Sequence, residues 1–153
     1  MDRHAIGTLM ADLGPAADLA AVAEYPDDGG WGLLTQDETI VDIEIDRTNA
    51  VLVLSADIGV LPEASADHWC RLMLSINGQW RDTGGFRLGL SAADGMVSQS
   101  LVLPAAGLDL AHLRERLARF LEVLGAWRTM LKGEPASTGR EASQPHLGGM
   151  IRG

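Results

Sequence analysis

Thr39-Ile40-Val41-Asp42-Ile43-Glu44-Ile45-Asp46 alternates with a strict period of two. Val41, Ile43 and Ile45 fall on one face, and Asp42, Glu44 and Asp46 on the other, which is the signature of a strand with one buried and one wet face. Arg47-Thr48-Asn49 follows as a tight connection, so the next strand is expected to return antiparallel. That strand, Ala50 to Ala56, is apolar on both faces and is expected to be central and covered on both sides.

Working downstream, Leu61-Pro62-Glu63 opens a helix whose apolar positions are Trp69, Leu72, Met73 and Ile76, joined by Cys70 and Leu74. This stripe is wider than one sheet contact requires. Asn77-Gly78 reads as its C-terminal cap. Phe86, Leu88 and Leu90 alternate as a strand, Ala93-Asp94-Gly95 is a hairpin turn, and Met96 to Leu103 is the partner strand, stopped by Pro104. Leu110, Leu113, Leu117, Phe120, Leu121, Leu124, Trp127 and Leu131 then keep a helical period, with Asp109 as N-cap.

Working upstream, Trp31 to Thr35 is a short strand, and Pro26-Asp27-Asp28-Gly29-Gly30 is a turn. Ile6, Leu9, Met10 and Leu13 form one stripe of a first helix that starts at the N-cap Asp2 and ends at Gly14-Pro15. The alanine-rich stretch 16–25 suits a further short helix. The predicted order is α-β-β-β-α-β-β-α, an α+β two-layer sandwich of antiparallel sheet and helices over residues 1–132. Residues 133–153 are rich in Gly, Pro, Ser, Thr and Gln and read as a disordered tail.

The 153 residues are 46% hydrophobic and carry a net charge of −9. Nucleic acid and anionic membrane are disfavoured as partners: Lys132 is the sole lysine, and the arginines are scattered. The single cysteine, Cys70, excludes an intramolecular disulfide and fits a reducing cytoplasm. The N-terminus lacks a signal-peptide core, and no apolar run approaches the ~20 residues of a membrane helix.

No arrangement of residues points to catalysis, a metal or a cofactor. His4, His68, His112 and His146 have no ligand-like spacing, and His68 and Cys70 diverge on their helix. Gly89-Leu90-Ser91-Ala92-Ala93 lacks the closing glycine of a nucleophile elbow and leads into a hairpin. Gly29-Gly30-Trp31-Gly32 lacks the spacing of a phosphate loop. Asp27 and Asp28 suit a turn, and the acidic face of 42–46 is solvated strand. The chain is therefore not expected to be an enzyme. Its surplus apolar surface points instead to self-association and to binding another chain.

The chain resembles the class I type III secretion chaperones of the CesT/SycE-like family over about residues 3–131. The resemblance rests on Leu13-Gly14, on Val51 through Pro62, on Leu72-Met73-Leu74-Ser75-Ile76-Asn77, and on Gly85-Phe86-Arg87-Leu88-Gly89-Leu90. Val102-Leu103-Pro104, Leu108-Asp109, Phe120-Leu121 and Trp127-Arg128 complete it in order. The alanine-rich insertion at 16–25 and the long tail depart from the pattern. The resemblance implies a cytoplasmic bacterial homodimer that uses no cofactor or ATP. Its implied client is the N-terminal region of a secreted effector, held in extended form; a regulatory adaptor that sequesters a secretion regulator is the alternative. Mapped onto this chain, Trp69, Leu72, Met73, Ile76, Phe86, Leu88 and Leu90 are the expected dimer interface. Ile6, Leu9, Met10 and Leu13, with Trp31 and Leu33, are the expected client-binding residues.

Overall fold

The computed structural model describes residues 3–26, 29–91 and 93–133. Asp2, Asp27, Asp28 and, apart from Gly133, the expected tail lie outside the described residues. Nine elements and one 3-10 turn follow in order: α1 (Arg3–Ala16), β1 (Ala21–Glu24), β2 (Trp31–Leu34), β3 (Ile40–Asp46), β4 (Val51–Val60), a 3-10 turn (Glu63–Ser65), α2 (Ala66–Gly78), β5 (Arg87–Leu90), β6 (Met96–Pro104) and α3 (Leu110–Leu131). All six strands form one antiparallel sheet in the order β1-β2-β3-β4-β6-β5.

The period-two reading of β3 holds in register. Val41 lies opposite Leu33, and Ile43 opposite Trp31 and Leu54. Leu52, Leu54 and Ala56 continue this inner face, matched across β6 by Leu103, Leu101 and Gln99. All of these except Gln99 are buried apolar side chains, and they meet α1 (Ile6, Met10, Leu13) and α3 (Leu113, Leu117, Phe120, Leu124) in one core. Asp109 caps α3 as expected, its carboxylate accepting from His112 N–H at 2.8 Å.

Three boundaries differ from the sequence reading. The stretch 16–25 does not add a helix: Asp18 takes a left-handed backbone (φ 51°), and Ala21–Glu24 pairs with β2. This places four strands before α2 instead of three, because ladder pairing outweighs the helical preference of alanine. β4 is central, but it runs on through a bulge at Asp57–Gly59 to Val60. Only its inner face is buried, while Val51, Val53 and Ser55 are half-buried. α1 extends past Gly14-Pro15 to Ala16.

Gln99 is fully buried on the inner face, an unusual place for an amide. Its Nε2 donates to the Phe120 carbonyl at 2.9 Å, while its Oε1 meets no hydrogen-bond partner among the described residues. An orphan buried acceptor costs more than one good bond returns. Gln99→Met, of similar length and without the acceptor, is therefore expected to raise folding stability by about 1 kcal/mol. Urea unfolding measures this, and a loss of stability would show that the orphan oxygen is not the dominant cost.

Candidate functional site: an open sheet edge and an apolar helix face

Among the described residues, no group of three or more His, Cys, Asp or Glu is placed to hold a metal. No helix among them is long and apolar enough to cross a membrane. Two surfaces stand out instead, at opposite ends of the sheet.

The first is built by α2 and β5. α2 has 13 residues, and only Met73 is buried. Met73, Leu88, Val97 and Trp127 form a second, smaller core, against which Trp69, Cys70, Leu72 and Ile76 are half-covered. Trp69 meets Trp127 edge-on, with ring centroids 6.4 Å apart. Beyond this seam, Leu74 is 73% exposed and Leu90 45% exposed. With Cys70, Met73, Asn77 and Leu88 they line an apolar groove of about 260 Å³. Of the seven residues expected at a dimer interface, Met73, Phe86 and Leu88 are buried within the chain, and Trp69, Leu72 and Ile76 are half-buried. Leu90 is exposed. Phe86 sits just before β5, its ring 6.1 Å from that of Phe120, so it belongs to the main core.

The second surface is the β1 edge. Tyr25 N–H donates to Gly30 O at 2.8 Å, continuing the β1–β2 ladder by one pair. By alternation, Ala21 and Ala23 turn their backbone groups to β2, and Val22 turns its N–H and C=O outward. Beside this edge, two connected clefts of about 530 and 640 Å³ run along α1. Gly7, Ala11 and Gly14 of α1 face Leu19, Val22 and Trp31 across the first, and His4, Thr8 and Glu24 extend the second.

Of the residues expected to bind a client, only Met10 and Trp31 also line these clefts. Ile6, Met10, Leu13, Trp31 and Leu33 are buried in the chain's own core, and Leu9 is half-buried against it. The α1 stripe marked burial correctly, but the neighbour it is buried against is this chain. Apart from Met10, what α1 contributes to the clefts is the other side of the same helix, mostly small residues.

Two roles at these surfaces escape the sequence reading, those of Tyr25 and Asn77. Tyr25 lies across Gly32 and donates from its phenol to Asp42 Oδ1 at 2.7 Å. That hydrogen bond, with some burial and the Asp42 charge, holds the phenol above its ordinary pKa. A Cβ at position 32 would collide with the Tyr25 hydroxyl, and one at position 30 would sit 2.7 Å from the Ile43 carbonyl oxygen, so the Gly29-Gly30-Trp31-Gly32 run serves packing. Leu74, lying off the main α2 stripe, was legible as surplus apolar surface. Asn77 was read as a helix cap, but α2 continues through Gly78 and is capped at Gln79. The Asn77 side chain instead reaches β5.

Comparison with known proteins places this architecture. Similar solved structures include the ExsC–ExsE complex, with 24% identity over 86% of this chain and 97% of the other and a TM-score of 0.71. The HopA1–SchA chaperone–effector complex is 19% identical over 84% of this chain and 98% of the other, with a TM-score of 0.66. The heterodimeric ExoU–SpcU complex from the type III secretion system of Pseudomonas aeruginosa is 14% identical over 82% and 97%, with a TM-score of 0.53. At these identities the likeness establishes the α+β fold. No curated protein matches the chain. The sequence pattern of the Tir chaperone protein family, CesT, matches residues 9–128, most of the chain and every element from α1 to α3. The chain belongs to the Tir chaperone protein (CesT) family.

Proposed function

We propose that this protein is a type III secretion chaperone: a homodimer that holds the N-terminal segment of a secreted effector in extended form and keeps it soluble and ready for export. The observation that carries this reading is the pairing of the two surfaces. An open sheet edge beside an apolar cleft suits an extended segment, which gains backbone hydrogen bonds from the edge and side-chain contacts from the cleft. An α2 face with Leu74 73% exposed suits a second copy, since an isologous contact covers the same patch on both protomers. Family membership and the chaperone–effector complex among the similar structures support the same reading.

On this reading the client binds at β1 and the outer side of α1, through Gly7, Ala11, Val22 and Trp31, while the stripe Ile6, Met10, Leu13 and Leu33 supports that wall from within. Self-association uses Leu74 and Leu90, with Cys70, Leu72 and Ile76 at the margin. The protein acts in the bacterial cytoplasm and performs no catalysis. A client that orders on binding loses part of its contact energy to that ordering, so the apolar cleft must supply a surplus.

Co-purification from the native host tests the reading. The expected result is a complex of two chaperone chains with one secreted protein, from which limited proteolysis leaves the client's N-terminal segment protected. A strictly monomeric protein that captures no secreted protein would overturn it. Capture of a transcriptional regulator or of another chaperone in place of an effector would favour the adaptor role instead.

A further inference from the structure

We infer that Asn77 closes the β5 edge of the sheet to the addition of a further strand. β5 is a four-residue strand at the sheet edge, bonded to β6 on one side alone. On its other side the Asn77 carboxamide takes the place of a neighbouring strand. Its Nδ2 donates to the Leu88 carbonyl at 2.8 Å, and its Oδ1 accepts from the Leu88 N–H at 2.8 Å. A side-chain carboxamide offers one acceptor and its own donors in nearly the arrangement of a peptide group, so it satisfies both backbone groups of one residue at once.

The alternation of an antiparallel ladder turns Arg87 and Gly89 toward β6 and leaves Leu88 and Leu90 facing out. Capping Leu88 therefore removes one of only two outward-facing residues, and with it the consecutive bonding sites that an incoming strand needs. The cap is held firmly, because Asn77 lies on α2 one turn after Met73, which packs against Leu88 in the second core. At β1, among the described residues no side chain hydrogen-bonds the outward-facing Val22. An uncapped edge is a template for pairing with another chain.

The outward-facing Leu88 and Val22 are thus chemically unequal. Any contact between copies across α2 and β5 is made by side chains and not by joining two sheets. The direction of a client strand to β1 rests on the proposed chaperone function, whereas the closure of β5 does not.

The test uses the full chain carrying Asn77→Ala, with Ser75→Ala at an exposed position of the same helix as control. Amide exchange by NMR and sedimentation velocity are the two readouts, measured without any client. Losing the acceptor is expected to speed exchange of the Leu88 amide by about tenfold, the factor for one hydrogen bond of ordinary net strength. It is also expected to produce concentration-dependent assemblies larger than those of the unsubstituted protein, while Ser75→Ala changes neither. An unchanged Leu88 exchange rate, or faster exchange without added assembly, overturns the inference. Should Asn77→Ala fail to fold, Asn77→Asp decides: its second carboxylate oxygen meets the Leu88 carbonyl where Nδ2 donated, so the cap is repelled and the Leu88 amide exchanges faster, and exchange as slow as in the unsubstituted protein overturns the inference. Because no client is present, failure of the chaperone reading would leave these outcomes unaffected.

Discussion

Leu74→Asp is expected to yield a folded monomer. Leu74 is 73% exposed on the isolated chain, so the carboxylate meets water there, and the monomer's stability should change by no more than about 0.5 kcal/mol. In an isologous contact the same carboxylate would be buried twice, once per protomer, without a basic partner on the apolar groove. An unpaired buried charge costs several kcal/mol, so association should weaken by about 100-fold or more. Sedimentation equilibrium gives the mass, and far-UV circular dichroism reports whether the fold is retained. Thermal unfolding of the variant should lose its dependence on protein concentration. Leu72→Asp and Ile76→Asp are less clean, because both side chains also cover the second core, and Met73→Asp should unfold the chain outright. An unchanged dimer for Leu74→Asp would move the self-association surface elsewhere.

Val22→Pro should abolish most client binding while leaving the dimer folded. Proline removes an N–H that points away from β2 and sets a ring where the added strand would lie. The position tolerates it, since an edge strand loses no ladder bond when the outward N–H is removed. Client affinity should fall by about tenfold to 100-fold, the loss of a backbone bond plus steric exclusion of its neighbours. Ala23→Pro, one residue along, is the contrast: its N–H faces β2, so it should damage the fold itself. Titration calorimetry with the captured client segment measures the difference. Equal affinity for the unsubstituted protein and Val22→Pro would mean that the client does not extend the sheet at β1.

How much of this was legible without the structure differs from element to element. β3, β6 and α3 were, because each buries one face against the chain itself, and such a face writes its period into the sequence, whereas β4, apolar on both faces, showed that it is a central strand but not that only its inner face is buried. β1 was not. Its residues Ala-Val-Ala-Glu carry no alternation strong enough to compete with alanine's helical preference, and only pairing with Trp31–Leu34 makes them a strand. The α1 stripe was legible as buried, and the structure packs it against the chain's own core with Met10 also at the cleft, while the α2 stripe was legible as broader than the core needs.

By itself, then, the sequence determined the antiparallel α+β core, the cap of α3 at Asp109, the family, and the surplus apolar surface on α2. Those features depend on local period and composition, which residues carry with them wherever the chain goes. Tertiary structure alone decided that Ile6, Met10, Leu13, Trp31 and Leu33 are interior, that Leu74 is left outside, and that Asn77 reaches Leu88 eleven residues away. A hydrophobic pattern records the need for cover, but which surface supplies that cover depends on elements brought together from distant parts of the chain.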